Sequence, residues 1–135
     1  MVIHTPDQQV LLIERARHPG FWQSVTGSIE PGEPLQQTAQ REVREETGLD
    51  YPLTAFRDWH QQNTFEIRNE WRHRYAPDVT HNTEHVFSLC VPAVTEITLS
   101  PTEHRAYRWM PLAEAAQQCF SESNREAILA LPAQP

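Results

Sequence analysis

Residues 27–50 read GSIEPGEPLQQTAQREVREETGLD, and the tail from Arg41 to Gly48 sets three glutamates, Glu42, Glu45 and Glu46, into five positions. Pro34 suits the first turn of a helix, where no N–H partner is needed, and Gly48 is the residue type that ends one in a left-handed conformation. The spacing therefore predicts a helix over 34–47. At ~100° per residue, Leu35, Ala39 and Val43 form one apolar stripe, the side that packs on a sheet. A solvated acidic face would lie opposite that stripe. Instead Glu42 and Glu45 fall along its margin and Glu46 inside its arc. Repulsion between glutamates three or four apart costs roughly a few tenths of a kcal/mol per pair, and desolvation at the core edge adds to it. A hard divalent cation relieves both, because clustered carboxylate oxygens are its natural ligands. Arg41, four residues before Glu45, is expected to pair with it and leave Glu42 and Glu46 freer for metal.

Strand signals flank this helix. VLLIERA at 10–16 and FWQSVTGSI at 21–29 read as strands, with Pro31 and Gly32 turning between the second and the helix. Segments near 53–60 and 63–68, then 83–91, 96–99 and 106–110, read as further strands. Helices are expected over Pro111–Cys119 and Ser123–Leu131, the latter opened by a Ser-x-x-Glu capping box, Ser123 with Glu126. Strands interrupted by three helices make an α/β sandwich with a mixed sheet. Only Met1 to His4 precede the Pro6-Asp7 turn, so the first strand is expected to be a truncated stub.

At 135 residues the chain suits one domain over 1–135, and 39% hydrophobic content supports a folded core. No apolar run approaches the ~20 residues of a membrane span, and MVIHTPDQQ lacks the features of an export signal. Cys90 and Cys119 are isolated and are expected to be small core residues in a reducing cytoplasm. The seven histidines show no zinc spacing; His104 alone, beside Glu103, draws attention. Net charge is −7, which disfavours nucleic acid as a partner. All eleven basic residues are arginines, whose forks suit phosphate, although genomic bias also exchanges Lys for Arg.

Gly27, Glu33 and the run Arg41-Glu42-Val43-Arg44-Glu45-Glu46-Thr47-Gly48-Leu49 reproduce the pattern GX5EX7REUXEEXGU at all nine specified positions. The chain thereby resembles the Nudix family. The resemblance implies an α/β/α sandwich and hydrolysis of a diphosphate bond with Mg²⁺, or Mn²⁺, held by Glu42, Glu45 and Glu46. It implies that Glu45, or a glutamate outside the box, accepts the proton, with Arg41 orienting Glu45. Gly27, Glu33 and Gly48 are expected to be structural. Glu103, in the turn before the last strand, is expected to join the metal site as ligand or base.

The stretches 21–30, 71–87, 102–115 and 123–128 narrow the resemblance to a bacterial branch of the family that removes pyrophosphate from 7,8-dihydroneopterin triphosphate on the way to folate. That branch also accepts nucleoside triphosphates such as dATP and begins with a longer first strand. The implied substrate contacts are Arg15 and Thr26 near phosphate or ring, Phe65, Glu66, Ile67 and Arg68 lining a slot, Arg72 and Arg74 as a phosphate clamp, and Ser121. Trp22 and Trp109 are expected to be core residues rather than ring-stackers. The alternatives are a broad nucleoside triphosphate pyrophosphohydrolase and, because some Nudix domains only bind ligands, an inactive regulator. A monomeric cytoplasmic enzyme on a small-molecule triphosphate is the expectation.

Overall fold

The structure is a computed structural model and describes residues 1–27, 29–66 and 81–133. Among these residues the order is β1 (Val2–His4), β2 (Gln9–Arg15), β3 (Trp22–Gln23), α1 (Leu35–Thr47), β4 (Phe56–Glu66), β5 (His81–Cys90), β6 (His104–Pro111), α2 (Leu112–Gln118) and α3 (Glu122–Ala130). Short as it is, β1 is central: it pairs antiparallel with β2 and parallel with β5. That one parallel pairing makes the sheet mixed. β4 lies antiparallel to β5. β6 runs along β2 from Gln9–Pro111 to Arg15–His104, so β1 and β3 share the other edge of β2.

Alternation along β2 explains the layers. Val10 and Leu12 join Val2, Val86 and Met110 against Ala115 and Ala116 of α2 and Ala127 and Ile128 of α3. Leu11 and Ile13 join Ile3, Phe87 and Leu89 against Ala39 and Val43 of α1. A strand covered on both faces reads as a continuous apolar run, as VLLI does. The result is an α/β/α sandwich, with roughly 1.5–3 kcal/mol of burial for each fully covered Leu, Ile or Val.

Several local expectations are corrected. The strand expected over 21–29 shrinks to Trp22–Gln23, because side chains take over from a ladder beyond it. Asn124 of α3 accepts from the Ser24 amide at 2.8 Å and donates to Ser24 Oγ at 3.0 Å. Residues 96–99 are not a strand; the Thr98 amide donates instead to the Thr47 carbonyl at the end of α1, at 2.9 Å. Residues 53–55 form a 3₁₀ turn, and β4 is one strand whose register shifts between Asp58 and Gln62. Asp58 caps that irregularity by accepting from the His60 amide at 2.8 Å, where His60 has a positive φ of 54°. The N-cap of α3 lies two residues earlier than expected, at Ser121, which accepts from the Asn124 amide, so Ser123 and Glu126 are not its capping box. Cys119 is buried, whereas Cys90 is exposed at the end of β5 and is not a core residue. Trp22 and Trp109 are only partly buried, each packed against one core layer.

Candidate active site

Pro34 precedes α1 with an extended backbone, and Gly48 ends it at φ 76° with its N–H on the Arg44 carbonyl. Ala39 and Val43 face the sheet as expected, and Glu46 is buried beside them at 5% exposure. Glu42 and Glu46, four residues apart, differ by only ~40° around the helix, whereas Glu45 is turned ~100° from Glu46. Glu45 is accordingly exposed and does not share a margin with the other two.

Arg41 makes a different set of bonds from the one expected. Its guanidinium donates twice to Glu33, at 2.8 and 2.9 Å, and once to Glu42, at 2.8 Å. Glu45 is a weaker partner at 3.3 Å. The paired fork on Glu33 outcompetes the helical i,i+4 pair because two parallel charged hydrogen bonds are stronger than one. Thr38 Oγ1 adds a third bond to Glu33 at 2.7 Å. Arg41 and Thr38 together hold the Glu33 carboxyl down to about 2, and the hydrogen bonds to Glu33 and then Glu42 raise the Arg41 guanidinium further above its ordinary range. Gly27 has a steric reason to be small. A Cβ there would lie 2.1 Å from Glu42 Cγ and Cδ, so the glycine makes room for that side chain.

The other end of α1 is electrostatically unsatisfied. Glu46 meets Glu103, from the turn ahead of β6, and His104, the first residue of that strand; one ligand-type atom from each lies within 4.8 Å of the others. The Glu103 and His104 amides both donate to Ser100 O, closing that turn, and Glu103 O accepts from Ala16 N. Burial comes first in pushing the Glu46 carboxyl up to about 9, followed by its hydrogen bond with Glu103 and the charges of Glu42 and Glu103. Glu42 is also raised, chiefly by burial, against the opposing pull of Arg41. His104 is lowered by burial. Glu46 Oε2 and His104 Nδ1 are buried with no hydrogen-bond partner. Two carboxylates and an imidazole with orphaned buried atoms suit a divalent cation. The group shares Glu46 and Glu103 with the expected set of Glu42, Glu45, Glu46 and Glu103; Glu42 and Glu45 are outside it and His104 is inside. Only the odd placement of His104 beside Glu103 could have pointed to it.

Arg15 lies opposite His104 across β2 and β6 and donates to Gln23 Oε1 at 2.8 Å. Gln23 in turn donates to Thr26 Oγ1 at 3.3 Å, so Arg15 and Thr26 are linked through a buried amide. Ser121 is occupied in capping α3. Phe65 and Glu66 close β4 opposite Asn82 and His81. Ile67, Arg68, Arg72 and Arg74 lie outside the described residues.

Residues 1–131 match the NUDIX domain family. The chain belongs to the NUDIX family. Among relatives of this NUDIX protein, the dihydroneopterin triphosphate diphosphatase of Escherichia coli (strain K12) is 46% identical over 132 residues, spanning 95% of this chain and 86% of that protein. The Haemophilus influenzae protein of the same name is 40% identical over 131 residues, spanning 95% and 82%. The solved structure of the E. coli dihydroneopterin triphosphate pyrophosphohydrolase superimposes with a TM-score of 0.86 at 45% identity, over 94% of this chain and 88% of that one. No helix among the described residues is long and apolar enough to cross a membrane.

Proposed function

We propose that this NUDIX protein hydrolyses 7,8-dihydroneopterin triphosphate to the monophosphate and pyrophosphate, with Mg²⁺ or Mn²⁺ as cofactor. The observation that supports it most is the meeting of Glu46 with Glu103 and His104, in a chain similar over nearly its whole length to two diphosphatases of that name. Glu46, Glu103 and His104 would hold the cation, with Glu42 beside them. A bound divalent cation screens the polyphosphate charge and polarises its phosphorus–oxygen bonds. In this reading water attacks phosphorus, the bond to the departing pyrophosphate breaks, and a carboxylate accepts the proton that water loses. Glu103 suits that last role, being exposed at the edge of the group. Arg41 positions Glu42 and ties the loop at Glu33 to the helix. Arg15 and Thr26 are proposed to contact phosphate or the pterin ring.

The test is pyrophosphate release by the purified chain from dihydroneopterin triphosphate, dATP and dGTP, each with Mg²⁺ and with EDTA. Preference for the pterin substrate, abolished by EDTA, is the expected result. Equal turnover of all three would make the chain a broad nucleoside triphosphate hydrolase. No turnover of any would make it a binding domain.

A further inference from the structure

Along β6, strict alternation sends Met110, Arg108 and Ala106 towards α2 and α3, and would send His104 there too. Met110 is in the core on that side, and the Arg108 guanidinium lies 5.3 Å from the centre of the Trp22 ring. The register breaks before His104 is reached. Glu14 faces Ala106 and Arg15 faces His104, which leaves Arg105 as an extra residue on β6. One extra residue turns the side chain beyond it to the opposite face. His104 therefore points to the α1 side, with Nδ1 3.9 Å from Glu46 Oε1.

That distance is too long for a hydrogen bond and right for a shared ion. Two atoms bound to one cation at ~2.1–2.2 Å lie roughly 3 to 4.4 Å apart, depending on the angle between them. His104 is 4% exposed, and the partnerless Nδ1 faces a carboxylate whose Oε2 is equally partnerless. Buried polar atoms seldom go unmatched, and here two of them belong to side chains that the bulge brings together.

The geometry points to His104 as a nitrogen ligand of the cation at Glu46 and Glu103, giving the site a preference for Mn²⁺ over Mg²⁺. Mg²⁺ favours oxygen donors, whereas an imidazole suits the later first-row metals and binds Mn²⁺ better than Mg²⁺. This deepens the reading above and rests on its metal, but not on its substrate.

The test uses the full chain without substrate. Calorimetry gives the dissociation constants of Mg²⁺ and Mn²⁺ for the unaltered chain and for His104→Ala. Mn²⁺ should bind about tenfold tighter than Mg²⁺; His104→Ala should weaken Mn²⁺ about tenfold and Mg²⁺ less than about threefold. Electron spin-echo spectra of bound Mn²⁺ should show a ¹⁴N coupling that converts to ¹⁵N when only histidine is labelled. Equal weakening of both ions, or equal affinity for them at the outset, overturns the assignment. So does a Mn²⁺ spectrum without histidine coupling, which decides the matter alone if His104→Ala fails to fold. Absence of any cation binding would sink the metal itself, and the hydrolytic reading with it.

Discussion

At the entrance to α1, Glu33 receives two hydrogen bonds from Arg41 and one from Thr38, and its carboxyl is held down to about 2. Towards the far end of the same helix, Glu46 is buried among Glu42, Glu103 and His104, and its carboxyl is pushed up to about 9. Both glutamates are specified by the same short sequence pattern. One has every charge matched within the protein; the other has none matched fully, and sits at the helix end where the macrodipole also disfavours an anion. A satisfied carboxylate holds structure together. An unsatisfied buried one leaves a place for something that the chain does not itself supply.

The sharpest way to break this contrast is to neutralise each glutamate. Glu46→Gln should lower turnover by about a thousandfold or more, by removing a charge that counts most at the transition state. The fold should persist, since the amide is nearly isosteric and cheaper to bury than a carboxylate. Turnover within about tenfold of the unaltered rate at saturating Mg²⁺ would mean that Glu46 is a structural residue like Glu33. Glu33→Gln should cost less activity, roughly 10- to 100-fold, because it acts only through Arg41 and the placement of Glu42. Its effect should appear in kcat rather than KM, together with a lowered Tm. A loss as deep as that of Glu46→Gln would erase the distinction between the two ends.

Glu103 tests whether the unsatisfied end extends beyond the helix. Glu103→Ala should lower activity about tenfold and weaken Mg²⁺ binding by a similar factor. Glu96→Ala, an exposed control on the loop before it, should change neither. Equal small effects from both would return Glu103 to the surface and leave the helix glutamates to work alone.

Much of the first contrast was legible in the sequence. The apolar stripe of α1, its stop at Gly48 and the buried position of Glu46 follow from helical spacing, and the mixed sandwich from the alternation of strands and helices. What spacing could not show was partnership across the chain. Arg41 has Glu45 four residues away in sequence, but a loop brings Glu33 to its fork, and loop paths are set by tertiary packing rather than local pattern. His104 was hidden for a related reason. A bulge has no clear composition signal in HRAYRWMP, and without it the residue belongs on the wrong face. Apolar alternation points to strands at the irregular segments 24–27 and 96–99 because it says nothing of whether a ladder partner is free.

The smallest expected effect is in stability, and it turns on the sign of the Glu46 shift. Its folded carboxyl is raised from 4.5 to about 9, so between those values the folded chain keeps a proton that the unfolded chain has released. Stability contributed by the protonated form is complete below pH 4.5 and is lost as the pH rises through about 9. Other groups slope the other way. His4 and His104, lowered from 6.5, the buried Met1 ammonium, lowered to about 6, and Glu33, lowered to about 2, each favour the fold as the pH rises through their own ranges. Comparison with Glu46→Gln leaves the Glu46 titration, together with its coupling to the Met1 ammonium. In EDTA, the Tm advantage of Glu46→Gln over the unaltered chain should grow from pH 5 to pH 9, by about 5 °C or more. Millimolar Mn²⁺ should then raise the Tm of the unaltered chain and leave that of Glu46→Gln nearly where it was, because a cation that binds only the folded site stabilises it. Parallel pH curves for the two proteins in EDTA would show that Glu46 is matched within the protein after all, and the two ends of α1 would no longer differ in kind.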